Sequence, residues 1–291
     1  MGWAETFIAV DWGTTNRRAW RIAGGNIEQE FEDGRGVLSV AKTDFPAAVA
    51  EIRERLGDHP VLMAGMIGSN RGWVEAPYLP CPAGLDELAA ALTWAEPGRT
   101  AIVPGLSNLD PPDVMRGEEV QILGAVAAGM IPADCLVCHP GTHNKWALVA
   151  SEKLARFRTV MTGEMFSLLK EHSILSDLLT DEMGLDDAFR AGVSRGLEGK
   201  ALTAELFSVR AGVLLGQRRK EDATDFTSGL LIGTDVAASL GECDSGEVFV
   251  MGRPDLTRLY AAAIAIAGRE AREVDGEAAF LAGIEAIAGQ M

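Results

Sequence analysis

The chain opens on a continuous apolar run, Phe7-Ile8-Ala9-Val10, whose β-branched and aromatic residues predict a buried strand. The run ends in Asp11 and a tight polar turn, Gly13-Thr14-Thr15-Asn16. Arg17–Ala23 and Ile27–Phe31 read as two further strands, joined by the hairpin signal Gly24-Gly25-Asn26. Asp44 at an N-cap position, Pro46 in the first turn, apolar Ala48, Val49, Ile52 and Leu56, and Gly57 as a stop predict a helix with both ends marked. A strand at Val61–Gly65, a long polar-aromatic loop over Met66–Pro82, a helix at Leu85–Trp94, a strand at Thr100–Val103 and a helix at Glu118–Met130 complete a first half.

The pattern then begins again. Cys135–His139 is an apolar strand, followed by the turn Pro140-Gly141-Thr142-His143-Asn144 and a second hairpin, Lys145–Ala150 with Lys153–Phe157 around Ser151-Glu152. A helix opens after Gly163, and the acidic, mainly helical stretch to Asp225 reads as an elaboration of the second half, with helices at Glu164–Leu175, Asp186–Gly196 and Leu202–Val209. Phe226–Leu240 is an apolar helix, Val248–Met251 a strand, Asp255–Ala267 a helix, Arg272–Asp275 a short strand and Gly276–Ala288 a closing helix. No Pro/Ser-rich linker separates the halves, so two domains are expected, 1–133 and 134–291, joined by a close hinge near residues 131–134.

Composition narrows what such a chain can do. With 291 residues and 47 % hydrophobic content, a substantial core is expected and disorder is not. A formal net charge of −16 argues against nucleic acid and against anionic membrane surfaces as partners, though not against a small anionic substrate. No cleavable leader is expected and the longest apolar stretch, Leu259–Ala267, is too short to span a bilayer, so the expected location is cytoplasmic. Met1-Gly2 with Thr6 matches a myristoylation pattern that is often met by chance. Cys135-Leu-Val-Cys138-His139 matches a haem-attachment pattern, but it lies in a strand-like apolar run, where both cysteines are expected to be small buried hydrophobes. Cys81 and Cys243 look incidental.

Chemistry enters at the two turns. A strand ending in a carboxylate with a Gly/Thr turn behind it can cradle phosphate and hold an Asp near the accompanying Mg²⁺, although most such turns are plain corners. Gly13-Thr-Thr-Asn16 has a partner in Gly141-Thr-His-Asn144, each between the first and second strands of its half. A duplicated βββαβα unit with a phosphate turn in each copy is the architecture of actin-like ATPases and sugar kinases. The expected fold is therefore α/β, with two actin-like, ribonuclease H-like domains facing across an ATP cleft. Gly196-Leu-Glu-Gly199-Lys200-Ala201 has two residues between its glycines where a P-loop has four, and it lacks the Ser/Thr.

DWGTTN (11–16), AGMIGSNRGW (64–73), APYL (76–79), VPGL (103–106), VMRGEE (114–119), PGTHNKW (140–146), FRTVMTGE (157–164), SGLLIG (228–233) and GEAAFLAGIEAIA (276–288) run in that order. Together they resemble the 2-dehydro-3-deoxygalactonokinase family of actin-like sugar kinases over nearly the whole length. Leu175–Thr224 shares little beyond a helical pattern. The resemblance implies phosphorylation of the 6-hydroxyl of 2-dehydro-3-deoxy-D-galactonate with ATP and Mg²⁺, in galactonate and galactose breakdown. It makes Asp11 the expected Mg²⁺ organiser, with Gly13, Thr14, Thr15 and Asn16 as the first phosphate turn and Gly141, Thr142 and His143 as the second. Gly252, after the Val248–Met251 strand, is the one residue expected on the adenosine side.

Phosphoryl transfer needs positioning, charge neutralisation and a base near the attacking hydroxyl. Met115-Arg-Gly-Glu-Glu119 stands where related sugar kinases carry a catalytic Asp, which makes Glu118 the candidate base with Glu119 next; acidic residues at a helix N-terminus are also common without catalysis. For the acid's carboxylate and hydroxyls the candidates are Ser69, Asn70, Arg71, Trp73, Arg116, Lys145, Arg158 and Glu164, with Arg17 also beside a motif. Alternatives are a kinase for another small hydroxy acid (2-dehydro-3-deoxygluconate or pantothenate) and an actin-like ATPase with no small acceptor. A homodimer is left open as the assembly state.

Overall fold

A computed structural model describes Trp3 and residues 5–241 and 246–291. Met1 and Gly2 of the acylation pattern, and Cys243, lie outside the described residues. β1 (Thr6–Trp12) is a central strand covered on both faces: Ile8, Val10 and Trp12 join a core with Phe45, Val49 and Ile52, while Phe7 and Ala9 are buried on the other side. β2 (Arg17–Ala23) and β3 (Asn26–Asp33) follow as a hairpin whose turn residues Gly24 and Gly25 have φ of +55° and +74°. The helix marked in the sequence is α1 (Phe45–Leu56), ended by Gly57. Asp44 occupies the cap position but does not cap with its side chain, which instead accepts from the Thr43 hydroxyl.

β4 (Val61–Gly65) is buried throughout. The long loop after it contains a 3₁₀ turn at Met66–Gly68 and a short strand, β5 (Tyr78–Pro80). The next helix, α2 (Leu85–Ala90), is shorter than expected: Thr93 and Trp94 belong to β6 (Thr93–Glu96), which pairs antiparallel with β7 (Thr100–Ile102). The β-branched and aromatic pair suits a strand, and Trp94 meets Trp3 edge-on at 5.8 Å. β8 (Gly105–Leu109) and β9 (Pro112–Met115) fill a stretch in which the sequence marks no element, and with β5 they make a three-stranded sheet, before α3 (Glu118–Ala127).

The second series is β10 (Cys135–His139), β11 (Asn144–Ala150), β12 (Lys153–Val160), α4 (Thr162–His172), α5 (Asp187–Leu197), α6 (Leu202–Leu214), α7 (Ala223–Leu240), β13 (Glu247–Gly252), α8 (Pro254–Ile266), β14 (Glu270–Asp275) and α9 (Gly276–Ala288). Cys135 and Cys138 are buried within β10, and burial pushes the Cys138 thiol well above its usual range, as expected of small core side chains.

Strand order carries the fold. The first sheet runs β3-β2-β1-β4-β7-β6, with β1 antiparallel to β2, β2 to β3, and β1, β4 and β7 parallel. The second runs β12-β11-β10-β13-β14, with β10, β13 and β14 parallel. The second has the order 3-2-1-4-5 of a ribonuclease H-like, actin-like sheet and the first has it with β6 added antiparallel at the β7 edge, so the α/β duplication expected from the sequence is present. The chain separates into two compact units, one of residues 1–134, 149–157 and 276–291, the other of 135–148 and 158–275. Within the first, α9 packs on α3, Phe280 lies 5.5 Å from Trp20, and Glu277 pairs with Arg18 at 2.9 Å. Within the second, α5 packs along α7, and a further apolar cluster joins Leu175, Leu179, Val209 and Phe226. No described helix is long and apolar enough to cross a membrane.

Candidate functional site

In the first unit three segments converge at the carboxyl ends of the parallel strands, where ligands of such sheets collect. β1 delivers Asp11 and its turn, β4 delivers the 66–73 loop, and the β9–α3 junction delivers Arg116–Glu119. Parallel pairing sets Asp11 beside Ala64 and Trp12 beside Gly65. Gly65 (φ +93°) and Gly117 (φ +108°) let these backbones touch: a Cβ on Gly117 would lie 3.2 Å from the Gly65 Cα, and one on Gly65 would lie 2.8 Å from the Trp12 carbonyl and 3.5 Å from Asp11 Oδ1. Two glycines therefore bring the Glu118–Glu119 pair to the Asp11 end of the sheet.

The first turn is pinned through its backbone. The Gly13 amide donates to the Asn16 carbonyl at 2.9 Å, and the carbonyls of Gly13, Thr14 and Thr15 accept from Val37, Leu38 and Gly36 at 3.0, 3.2 and 3.0 Å. Thr14, Thr15 and Asn16 are exposed, and the Asn16 amide donates to Glu32 at 3.0 Å. Asp11 accepts from Arg18 at 2.9 Å. Among the described residues no group of three or more His, Cys, Asp or Glu forms a metal cage. A single partly exposed carboxylate beside an exposed Gly/Thr turn fits Mg²⁺, an ion that keeps several waters and needs few protein ligands.

The two glutamates differ sharply. Glu119 is fully buried, both its oxygens accept from the Gly117 amide at 2.8 and 2.7 Å, and burial, then the Glu118 charge, push its carboxyl up to about 8. Glu118 is half-buried and accepts from the Arg116 amide at 3.1 Å. Arg116 is itself buried, stacked 4.3 Å from the Tyr78 ring centroid, with Nη2 donating to the Ala76 carbonyl at 2.8 Å, while Nε and Nη1 have no hydrogen-bond partner among the described residues. Such buried, unpaired guanidinium N–H groups are costly unless a ligand completes them. Ser69 is buried and its hydroxyl donates to the Met66 carbonyl at 2.7 Å; Asn70 and Arg71 are exposed on the same loop, and Trp73 packs half-buried on the core. Arg17 is taken up by the fold: wholly buried, it forks onto Asp33 at 3.0 Å twice and lies 5.1 Å from the Trp12 ring centroid.

In the second unit Gly141, Thr142 and His143 link β10 to β11, and the Glu164 amide of α4 donates to the Thr142 carbonyl at 2.9 Å. His143 Nε2 and Glu164 Oε2 stand 2.5 Å apart. Lys145 is buried and reaches the His143 carbonyl at 3.2 Å, whereas Arg158 is exposed on edge strand β12. Gly252 ends β13 against Pro140, 3.2 Å from Cβ position to carbonyl. Beside this turn opens a cavity of about 200 Å³ with apolar walls from Phe166, Met183, Leu231, Ile232 and Leu256 and polar atoms from Ser228, Arg253 and Asp255. Gly141 and Thr142 also border it. From the sequence, Gly141 and Thr142 and the motif SGLLIG (228–233) reach this cavity, whereas Phe166, Met183 and Leu256 carry no signal that separates them from core.

Sequence reasoning also missed Asp235. It is 2 % exposed on α7, and Asn144, Trp146, Thr162, Ser239 and Tyr260 all donate to it. The one available signal was a lone carboxylate inside the apolar stretch 226–240.

Known proteins resemble this chain over nearly its whole length. The family model for 2-keto-3-deoxy-galactonokinase matches residues 11–287. A 2-dehydro-3-deoxygalactonokinase of Escherichia coli (strain K12) is 40 % identical over 287 residues, covering 97 % of each chain. A crystal structure of a protein from Sinorhizobium meliloti, named for the same activity, superposes with a TM-score of 0.92 at 39 % identity and covers 98 % of each chain.

Proposed function

We infer, because this chain belongs to the 2-keto-3-deoxy-galactonokinase family, that it is a sugar-acid kinase acting on 2-dehydro-3-deoxygalactonate in galactonate breakdown. ATP is the donor and the 6-hydroxyl the acceptor. The observation that carries the reading is the convergence of Asp11, the 66–73 loop and Arg116–Glu119 at one end of the first sheet, held by the Gly65–Gly117 approach. Glu118 takes the hydroxyl proton as the substrate oxygen bonds to the terminal phosphorus and the bond to the departing ADP oxygen breaks. Glu119, neutral at pH 7, holds the Gly117 amide and so the geometry of its neighbour.

The charge of the Arg116 guanidinium, buried against Tyr78 beside the 66–73 loop, suits the substrate carboxylate. Ser69, Asn70, Arg71 and Trp73 border the sugar, and Lys145, Arg158 and Glu164 remain candidates for its hydroxyls or for phosphate. Asp11 is the residue that would hold Mg²⁺, which would supply charge neutralisation at the phosphates. Gly13–Asn16 and Gly141–His143 cradle phosphates, and the cavity beside Gly252 takes the adenosine. In domain terms, the unit of residues 1–134, 149–157 and 276–291 carries the acid and the first turn, and that of 135–148 and 158–275 the second turn and the nucleoside. The enzyme works in the cytoplasm, where ATP is supplied.

An ADP-release assay across a panel of sugar acids tests this. Release that depends on 2-dehydro-3-deoxygalactonate is expected. Dependence on 2-dehydro-3-deoxygluconate or pantothenate would replace the acceptor, and release without any acid would replace kinase by ATPase.

A further inference from the structure

Asp235 lies midway along α7, a carboxylate in a run of apolar and small residues, buried to 2 % exposure. Among the described residues five side-chain groups donate to it. Oδ2 accepts from Asn144 Nδ2 at 2.8 Å and from the Thr162 and Tyr260 hydroxyls, both at 2.7 Å. Oδ1 accepts from Trp146 Nε1 at 2.8 Å and from the Ser239 hydroxyl at 3.4 Å. Three of these donors bear on the second turn and its cavity. Asn144 directly follows Gly141-Thr142-His143, Thr162 opens the helix whose next residue packs against the Gly141 carbonyl, and Thr162 and Tyr260 both line the cavity.

We propose that Asp235 is a positioning residue of the nucleotide site, its carboxylate holding the second phosphate turn and two walls of the adjoining cavity in one geometry. The role rests on the reading of that cavity as the nucleoside site. A carboxylate suits it because both oxygens only accept, so donors from β11, α4, α7 and α8 can meet on one group. Burial, then the Asp235 charge, push the Tyr260 hydroxyl well above its ordinary range, which keeps it a donor. An amide of the same shape breaks the arrangement. Whichever way the new amide of Asp235→Asn turned, its NH₂ would face either the Trp146 indole N–H or the Asn144 NH₂, donor against donor.

The test uses the full chain, titrated calorimetrically with ATP and assayed for KM of both substrates. Asp235→Asn is expected to weaken ATP binding about tenfold, the ratio that ~1.4 kcal/mol gives, with KM for the sugar acid unchanged. Tyr260→Phe, which removes one donor and leaves the carboxylate, is expected to shift ATP affinity the same way by about two- to threefold, a few tenths of that free energy. Ser167→Trp, which projects a ring into the cavity from the exposed side of α4, checks the reading underneath. If it leaves ATP binding intact, the cavity is not the nucleoside site and the positioning role falls with it. If it blocks ATP while Asp235→Asn, folded by circular dichroism, binds ATP like wild type, the cavity reading stands and the positioning role alone is overturned. Equal rises in KM for ATP and for the acid also overturn it, since a merely structural residue would act that way. Should Asp235→Asn not fold, Tyr260→Phe decides: unchanged ATP affinity sinks the proposal.

Discussion

Gly13-Thr-Thr-Asn16 and Gly141-Thr-His-Asn144 look alike as sequence and are held in quite different ways. The first is anchored by its backbone, three carbonyls accepting from residues 36–38, and its Asn16 is an exposed side chain bonded to Glu32. The second is anchored through a side chain, since Asn144 is wholly buried and bonded to Asp235. A buried carboxylate belongs to each region, and these differ as well. Five side-chain donors meet Asp235, whereas the Glu119 carboxylate is met by the Gly117 amide and its carboxyl is pushed up to about 8. The same four-residue pattern thus specifies a turn and nothing about its support. Around Glu119 the contacts are backbone amides, whereas around Asp235 side chains from four elements meet in one frame.

The largest expected effect breaks or sustains that division directly. Glu118→Gln should lower kcat by about 10²–10⁴-fold, the usual contribution of a positioned base, with ATP affinity little changed. Steady-state kinetics with ATP titration reads both, and a variant with near-normal kcat would remove Glu118 from the chemistry. Next comes the pH dependence of Glu119. Its carboxyl holds a proton in the folded protein that the unfolded chain releases above the ordinary value of 4.5, so its stabilising contribution is full below 4.5 and is lost as pH rises to about 8. Glu119→Gln keeps an acceptor for Gly117 and has no proton to lose. The stability of wild type read from urea unfolding should therefore fall relative to the variant across that window, at most by about 1.4 kcal/mol per pH unit. Parallel curves would mean that Glu119 is not held neutral.

A smaller effect compares the turns themselves. Asn144→Ala takes a donor from a buried carboxylate and should cost about 1–3 kcal/mol, while Asn16→Ala, on the surface, should stay within about 0.5 kcal/mol. Equal losses in urea unfolding would erase the contrast drawn between the two turns.

This contrast also marks where the sequence stopped being legible. The two hairpins, the parallel strands and most helices were readable because each is a local period with a turn residue at its end. β6 was absorbed into a helix because Thr93-Trp94 continues the spacing of 85–90, and only pairing with β7 makes it a strand. The β5–β8–β9 sheet was hidden by strands of three to five residues broken by Pro, Gly and Asn. The Glu118–Glu119 pair could be found from its motif, but not which of them is buried. Asp235 was out of reach because its donors lie as far as 91 residues away in the chain, and no local pattern encodes such a meeting.

The hairpins beside the two turns give the finest comparison. Both need left-handed turn residues; Gly24 and Gly25 supply them at φ +55° and +74°, whereas the second hairpin puts Ser151 and Glu152 there, at +51° and +63°. That region costs an L-residue roughly 1–2 kcal/mol, offset in part by the ~0.5–1 kcal/mol of extra chain entropy that a glycine loses on folding. The anchors of the second turn are backbone amides, Ser151 to Asp134 at 3.0 Å and Glu152 to the Ala133 carbonyl at 3.0 Å, and survive a change of side chain. Glu152→Gly should therefore stabilise by about 0.5 kcal/mol and raise Tm by about 1–2 °C, while Gly25→Ala should lower it by more. Calorimetry of the two variants side by side decides it. A fall in Tm for Glu152→Gly would show that its side chain supports the turn, and that the two hairpins, like the two phosphate turns, are held by different means.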